Sequence, residues 1–174
     1  MKLLAFAASS SSKSINKQLA TYAASLVSDA TVEILDINDY EMPIFSQDRE
    51  EELGQPEAAK AFYAKLGQAD AIIISFAEHN GSYTAAYKNL FDWTSRIDMK
   101  LFQHKPMLLL ATSPGPGGAK TVLSAATGSA PYFAADVRAS ISVPSFFDNF
   151  DNEKQVITNP AIIDEIQSAI SLLA

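Results

Sequence analysis

Residues 71–76 read Ala71-Ile72-Ile73-Ile74-Ser75-Phe76, and residues 107–112 read Met107-Leu108-Leu109-Leu110-Ala111-Thr112. Each is a short, almost unbroken apolar run, the pattern of a strand buried on both faces of a sheet. Three further runs of strand length flank them, at Leu3–Ala7, Val32–Asp36 and Ala139–Val143. Segments of helical period lie between and after, at Ile15–Val27, Pro56–Leu66, Tyr83–Arg96, Lys120–Phe133 and Ala161–Leu173. Five strands alternating with five helices predict an α/β fold, a parallel sheet covered on both faces. Right-handed crossovers then give a doubly wound three-layer sandwich. No repeat and no long linker divides the chain, so residues 1–174 are read as one domain. The polar segment Asn149–Lys154 is expected to loop before the last helix.

Composition narrows the function. With 174 residues, 48% hydrophobic and 19% charged, the chain can bury a substantial core. The formal net charge of -7, with no dense basic run, argues against a duplex nucleic-acid surface. Without cysteine there is no disulfide, no thiolate metal site and no cysteine nucleophile, which suits a reducing cytoplasm. The apolar start at Leu3–Ala8 is short and breaks into four serines, so it is read as a buried strand rather than a leader. No apolar stretch approaches the ~20 residues that span a bilayer.

In a sheet of this kind ligands sit beyond the carboxyl ends of the strands, where the strand order reverses. The loop after strand one, Ala8-Ser9-Ser10-Ser11-Ser12-Lys13-Ser14-Ile15-Asn16, runs into a helix. Hydroxyls and free amides at a helix N-terminus make an anion site. One serine would serve as N-cap alone; this many exceed what capping requires, so the loop is read as a phosphate cradle. It lacks the glycines of the dinucleotide fingerprint and of the P-loop. After strand three, Gly81 permits a positive φ. From Tyr83 to Ile97 an aromatic-rich arc of roughly 160° follows at helical spacing. That arc faces the core, and part of it is free to meet a partner subunit. After strand four, Ser113-Pro114-Gly115-Pro116-Gly117-Gly118 forms a rigid turn presenting backbone amides. The two histidines, His79 and His104, lack metal-ligand spacing, and no serine sits in a nucleophile elbow.

The second loop and its helix resemble the signature of the NADPH-dependent FMN reductase family, which includes quinone, azo-dye and chromate reductases. That pattern reads Pro-Glu-Tyr-Asn-Gly-Ser, then a helix with Leu-Lys-Asn that ends Asp-Trp. The chain matches at Glu78, Asn80, Gly81, Ser82, Lys88, Asn89, Asp92 and Trp93. It carries Ala77 for the proline, His79 for the tyrosine and Tyr87 for the leucine. The first loop resembles the family's Gly-Ser-Leu-Arg-x-x-Ser-x-Asn at Ser9, Ser14 and Asn16, with Ala8 for the glycine and Ser11 for the arginine. Lys13 is placed to make up that charge. The third loop is similar to the family's Ser-Pro-Gly-x-x-Gly-Gly, which lies against the pyrimidine side of the flavin. Met42–Asp48 is similar to the segment after strand two.

The resemblance implies a flavodoxin-like three-layer sandwich with strand order 2-1-3-4-5. It implies FMN held by Ser9, Ser11, Ser14, Ile15 and Asn16, by Glu78, His79, Asn80 and Gly81, and by Ser113, Pro114, Gly115, Gly117 and Gly118. Of these, Ser14 and Asn16 are expected to hold the phosphate, and His79 to stand as a flat wall for the ring. It further implies NADPH or NADH as co-substrate, a small-molecule electron acceptor, and a homodimer or homotetramer. The flavin would carry the redox chemistry, which compels no protein acid or base, so no catalytic side chain is named; the histidine spacing predicts no metal. Two other readings are a flavodoxin-type electron carrier, although its Thr-x-Thr-Gly-x-Thr loop is absent, and a module that has lost FMN.

Overall fold

In the computed structural model, which describes residues 1–173, the two apolar runs are β3 (Ala71–Phe76) and β4 (Pro106–Thr112). Every residue of both is buried except the half-buried Pro106. With β1 (Lys2–Ala8), β2 (Thr31–Leu35) and β5 (Asp136–Val143) they form a parallel sheet ordered β2-β1-β3-β4-β5. The strand order reverses between β1 and β3, so the loops after these strands frame a crevice.

Alternation along β3 divides the core. Ile72, Ile74 and Phe76 join Phe6, Phe62, Leu90 and Leu109 beneath α3 (Glu57–Gln68), α4 (Ala85–Ser95) and α5 (Lys120–Ser129). Ala71 and Ile73 join Leu3, Leu19, Leu108 and Ile166 beneath α1 (Ile15–Ser25) and α7 (Pro160–Ile170). The edge strand β2 is thinly covered: residues 31–34 are all exposed, Val32 and Ile34 among them.

The structure departs from the sequence reading in a few places. α2 (Gln47–Leu53) was not expected, because none of its residues is buried and so no apolar period marks it. It is made by its ends instead: Ser46 Oγ accepts from Arg49 N, and Gly54 stops it at φ 68°. Pro131 turns the end of the expected helix Lys120–Phe133 into a 3₁₀ turn, Ala130–Phe133; a second such turn spans Ile37–Tyr40. α4 begins at Ala85 rather than Tyr83, since Thr84 is its N-cap. β5 starts at Asp136, paired with β4 across a register shift at Met107/Leu108. The expected loop Asn149–Lys154 is partly ordered, as β6 (Phe150–Asp151) pairs antiparallel with β7 (Val156–Ile157) after the short α6 (Phe146–Asn149).

The turn into α5 is the tightest passage. Gly118 has φ 60°, and a Cβ there would lie 2.3 Å from Ser142 Oγ and 3.1 Å from the Pro144 backbone. Ser142 Oγ also donates to Gly118 O at 2.7 Å, so β5 and the third loop share one contact. Gly117 faces open space. Gly118→Ala should therefore lower stability by about 1–3 kcal/mol, while Gly117→Ala stays within about 0.5 kcal/mol, as read from urea unfolding midpoints.

Candidate functional site

Loops leaving β1, β3 and β4 meet in one open cleft of about 280 Å³. Of the expected residues it brings together Ser9, Ser11, Ser14, Ile15, Asn16, Glu78, His79, Ser113 and Pro114. Lys13, Ala77, Thr112 and Phe147 complete the lining. Asn80, Gly81, Gly115, Gly117 and Gly118 do not line it. The first two form the tip of the second loop, and Gly118 packs behind the third. Among the described residues no group of acidic and histidine side chains is arranged to hold a metal.

The first loop braces itself. Ser9 Oγ accepts from Ser11 N at 3.3 Å, Ser11 Oγ accepts from Lys13 N at 3.3 Å, and Ser14 N donates to Ser11 O at 3.2 Å. Ser14 Oγ caps α1 by accepting from Lys17 N at 3.2 Å, which leaves its own hydrogen available. The amides of Ile15 and Asn16, at the first two helical positions, have no intrahelical partner. Lys17 is bound to Asp36 at 2.7 Å, and this hydrogen bond holds the Asp36 carboxyl below the usual carboxylate range. Lys13 has no ion-pair partner among the described residues, which leaves its charge for the cleft.

Asn16 lies deeper, only 2% exposed. Its Oδ1 accepts from Ser75 Oγ at 2.7 Å and from Thr112 N at 3.1 Å, while Nδ2 donates to Thr112 O at 3.2 Å. The side chain thus ties the start of α1 to β3 and β4. What it presents to the cleft is its backbone amide.

In the second loop Asn80 and Gly81 take φ 52° and 74°. His79 N donates to Ser82 O at 3.0 Å and Ser82 N to His79 O at 3.1 Å. This is a two-residue hairpin with the positive φ values of a type I′ turn, for which Asn-Gly is the strongest sequence signal. His79 stands exposed on its arm, while the Glu78 carboxylate is turned away to accept from Val122 N at 2.8 Å. Thr84 Oγ1 donates to Ala8 O at 3.0 Å and so joins α4 to the end of β1, a role the sequence did not announce.

Two motif residues on α4 form a clasp remote from the cleft. Asn89 accepts from Phe45 N at 2.8 Å and donates to the carbonyls of Met42 and Pro43, both at 3.1 Å. The buried Trp93 donates to Pro43 O at 2.7 Å and meets the Phe45 ring edge-on at 5.1 Å.

The third loop is held from the start of α6: Ser145 N donates to Gly115 O at 2.9 Å and Phe146 N to Ser113 O at 3.1 Å. These bonds fix Phe147 at the cleft wall, where it is 58% exposed. Sequence reasoning missed it; the available signal was a pair of phenylalanines just past a strand end, where ligands gather. Removing the Asn16 tie strands a buried hydroxyl and a buried peptide group. Asn16→Ala should cost about 3 kcal/mol or more, against ~1 kcal/mol for Ser14→Ala, in thermal and urea unfolding.

Comparison with known proteins gives this architecture a family. Residues 1–148 match the family described as NADPH-dependent FMN reductase. A 2-hydroxy-1,4-benzoquinone reductase of a Burkholderia species is 32% identical over 154 residues, covering 87% of this chain and 80% of the relative. An NAD(P)H-dependent FMN reductase of Pseudomonas aeruginosa is 32% identical over 119 residues, covering 68% of this chain and 63% of the relative. The fold is shared with the NAD(P)H:acceptor oxidoreductase FerB of Paracoccus denitrificans, at TM-score 0.75 and 19% identity over 99% of this chain and 94% of that one. A Bacillus anthracis azoreductase solved in complex with FMN superposes at TM-score 0.66 and 14% identity over 100% of both chains. With its fold, its loop signatures and 148 matched residues in agreement, the chain belongs to the NADPH-dependent FMN reductase family and is a flavin-dependent oxidoreductase.

Proposed function

We propose that the chain holds one FMN per molecule in the cleft after β1, β3 and β4, and uses it to reduce quinones or similar small acceptors at the expense of NAD(P)H. One observation carries the reading: the uncommitted donors at the start of α1 face the same cleft as the loops that would flank a ring. The donor set fits a phosphate monoester, with the Ile15 and Asn16 amides, the Ser14 hydroxyl, the helix dipole and Lys13 converging on one end. Asp36, which reaches α1 through Lys17, is already bound by it. Positions where a Cβ would meet nothing, at Gly115 and Gly117, leave room along the third loop.

Bound FMN supplies hydride transfer between NAD(P)H and an acceptor. The protein's part is to place and shield. The first loop would anchor one end, and the His79 arm and Phe147 would offer flat surfaces to the other. The similarity to a benzoquinone reductase supports a quinone-like acceptor. Nothing here supports a carrier without turnover. No described helix is long and apolar enough to cross a membrane. Dependence on intracellular NAD(P)H supports a cytoplasmic enzyme.

A homodimer is the assembly we propose. A groove of about 280 Å³ between α4 and the end of α5 is lined by Tyr83, Tyr87, Phe91 and Phe133, with Lys88 and Asp92 at its rim. Burial raises the Tyr87 hydroxyl well above its usual range. Light scattering at micromolar concentration should give twice the chain mass or a multiple of it; a monomer alone would count against this assembly.

The cradle itself is tested by titrating apo-protein with FMN, FAD and riboflavin, of which FMN should bind best. Ser14→Ala removes a hydrogen bond to a charged group, worth about 1.5–3 kcal/mol, or on the order of 10- to 150-fold in FMN affinity. Riboflavin affinity should hardly change. Equal affinity of the unmodified protein for FMN and riboflavin would exclude a phosphate cradle.

A further inference from the structure

We infer that Glu78 is a positioning residue whose carboxylate sets the gap between the second and third loops and is spent on α5 rather than on the ligand. The inference rests on the flavin reading only for the identity of that ligand. α5 begins at Lys120 behind Ala119, which sits in the left-handed region and offers no side-chain cap. A helix start left this way has amides without partners. Glu78 supplies the missing acceptor from another loop, taking the Val122 amide at 2.8 Å at the third helical position. A carboxylate there also answers the positive end of the helix dipole.

Two further approaches follow the same line along α5. A Cβ on Gly81 would lie 3.9 Å from Thr121 Cγ2, so the hairpin tip lies near the first turn of the helix. Tyr83 Oη lies 3.3 Å from Ser129 Oγ, near the helix end. The segment from Glu78 to Tyr83 is therefore referenced to α5, and α5 is continuous with the third loop through Gly118 and its lock on β5. Of these three contacts only the Glu78 bond is charged, and it sits immediately before His79. When it is released, the His79 arm loses its fixed distance from Ser113 and Pro114, and the ring end of the cleft widens. The phosphate end, braced by Asn16, is untouched.

The experiment compares Glu78→Ala and Glu78→Gln, titrated with FMN and with riboflavin, alongside hydrogen exchange of the Val122 amide in ligand-free protein. In Glu78→Ala both ligands should bind roughly tenfold more weakly or worse, by equal factors, since the part of the ligand common to both is affected. The bound-flavin absorption band should shift with it. Glu78→Gln keeps an oxygen acceptor of the same reach, so it should restore both affinities to within about threefold. Val122 exchange should accelerate in the alanine variant and stay slow in the glutamine variant. Should the alanine variant fail to fold, Glu78→Asp takes its place, its carboxylate one methylene short of the helix. The inference is overturned by unchanged affinities in Glu78→Ala, by a loss confined to FMN, or by a glutamine variant as weak as alanine. If the unmodified protein binds neither flavin, the functional reading fails, and Val122 exchange alone decides whether the clamp exists.

Discussion

A single buried carboxamide holds the cleft in register. Asn16 joins the first turn of α1 to the hydroxyl of Ser75 on β3 and to both peptide groups of Thr112 on β4. Its bonds therefore cross three elements that no covalent connection keeps together. A hydrophobic side chain there could fill the space but could not set a direction, because apolar contact is non-directional. Hydrogen bonds in a low-dielectric interior are directional and costly to leave unmade. The pointing of the α1 amides into the cleft is thus a consequence of the amide geometry of one residue.

The residues that mark the family divide their work unevenly. Glu78, Asn89 and Trp93 spend their polar groups on other parts of the protein: on α5 in the first case, and on the carbonyls and amides of residues 42–45 in the others. What faces the cleft is mostly backbone amides, serine hydroxyls and two exposed rings, His79 and Phe147. Such a signature encodes a shape rather than a set of reactive groups. This fits chemistry carried by a cofactor, where the protein's contribution is placement and electrostatics.

Much of this was legible in the sequence. The runs at residues 71–76 and 107–112 place the central strands because a two-sided burial leaves a one-letter trace, apolar at every position. Ser75 and Thr112 interrupt that trace, and their shared partner could not be read from spacing. Asn16 is 59 and 96 residues from the groups it binds, and only the fold brings them together. The loops were found because ligands gather where strand order reverses. The role of each side chain within them was not, since pointing toward the cleft or away from it depends on tertiary partners such as Val122. α2 was invisible because an exposed helix leaves no periodic trace, and Phe147 because the wall it forms comes from the short α6 beyond the edge strand β5.

The same Asn16 knot has a consequence in time. The two strands it grips begin at residues 71 and 106, so each tie closes a long loop of chain. Closing such loops is slow relative to forming local helices, and α1 can form long before β4 arrives. Until β4 docks, Asn16 has no peptide group to grip and the α1 amides have no fixed direction. The cleft at the start of α1 is therefore among the last features to appear during folding and among the first to be lost when the sheet opens. A molecule that binds it captures only chains whose sheet is complete. Ligand present during synthesis would act as a late selection step, retaining finished molecules rather than guiding unfinished ones.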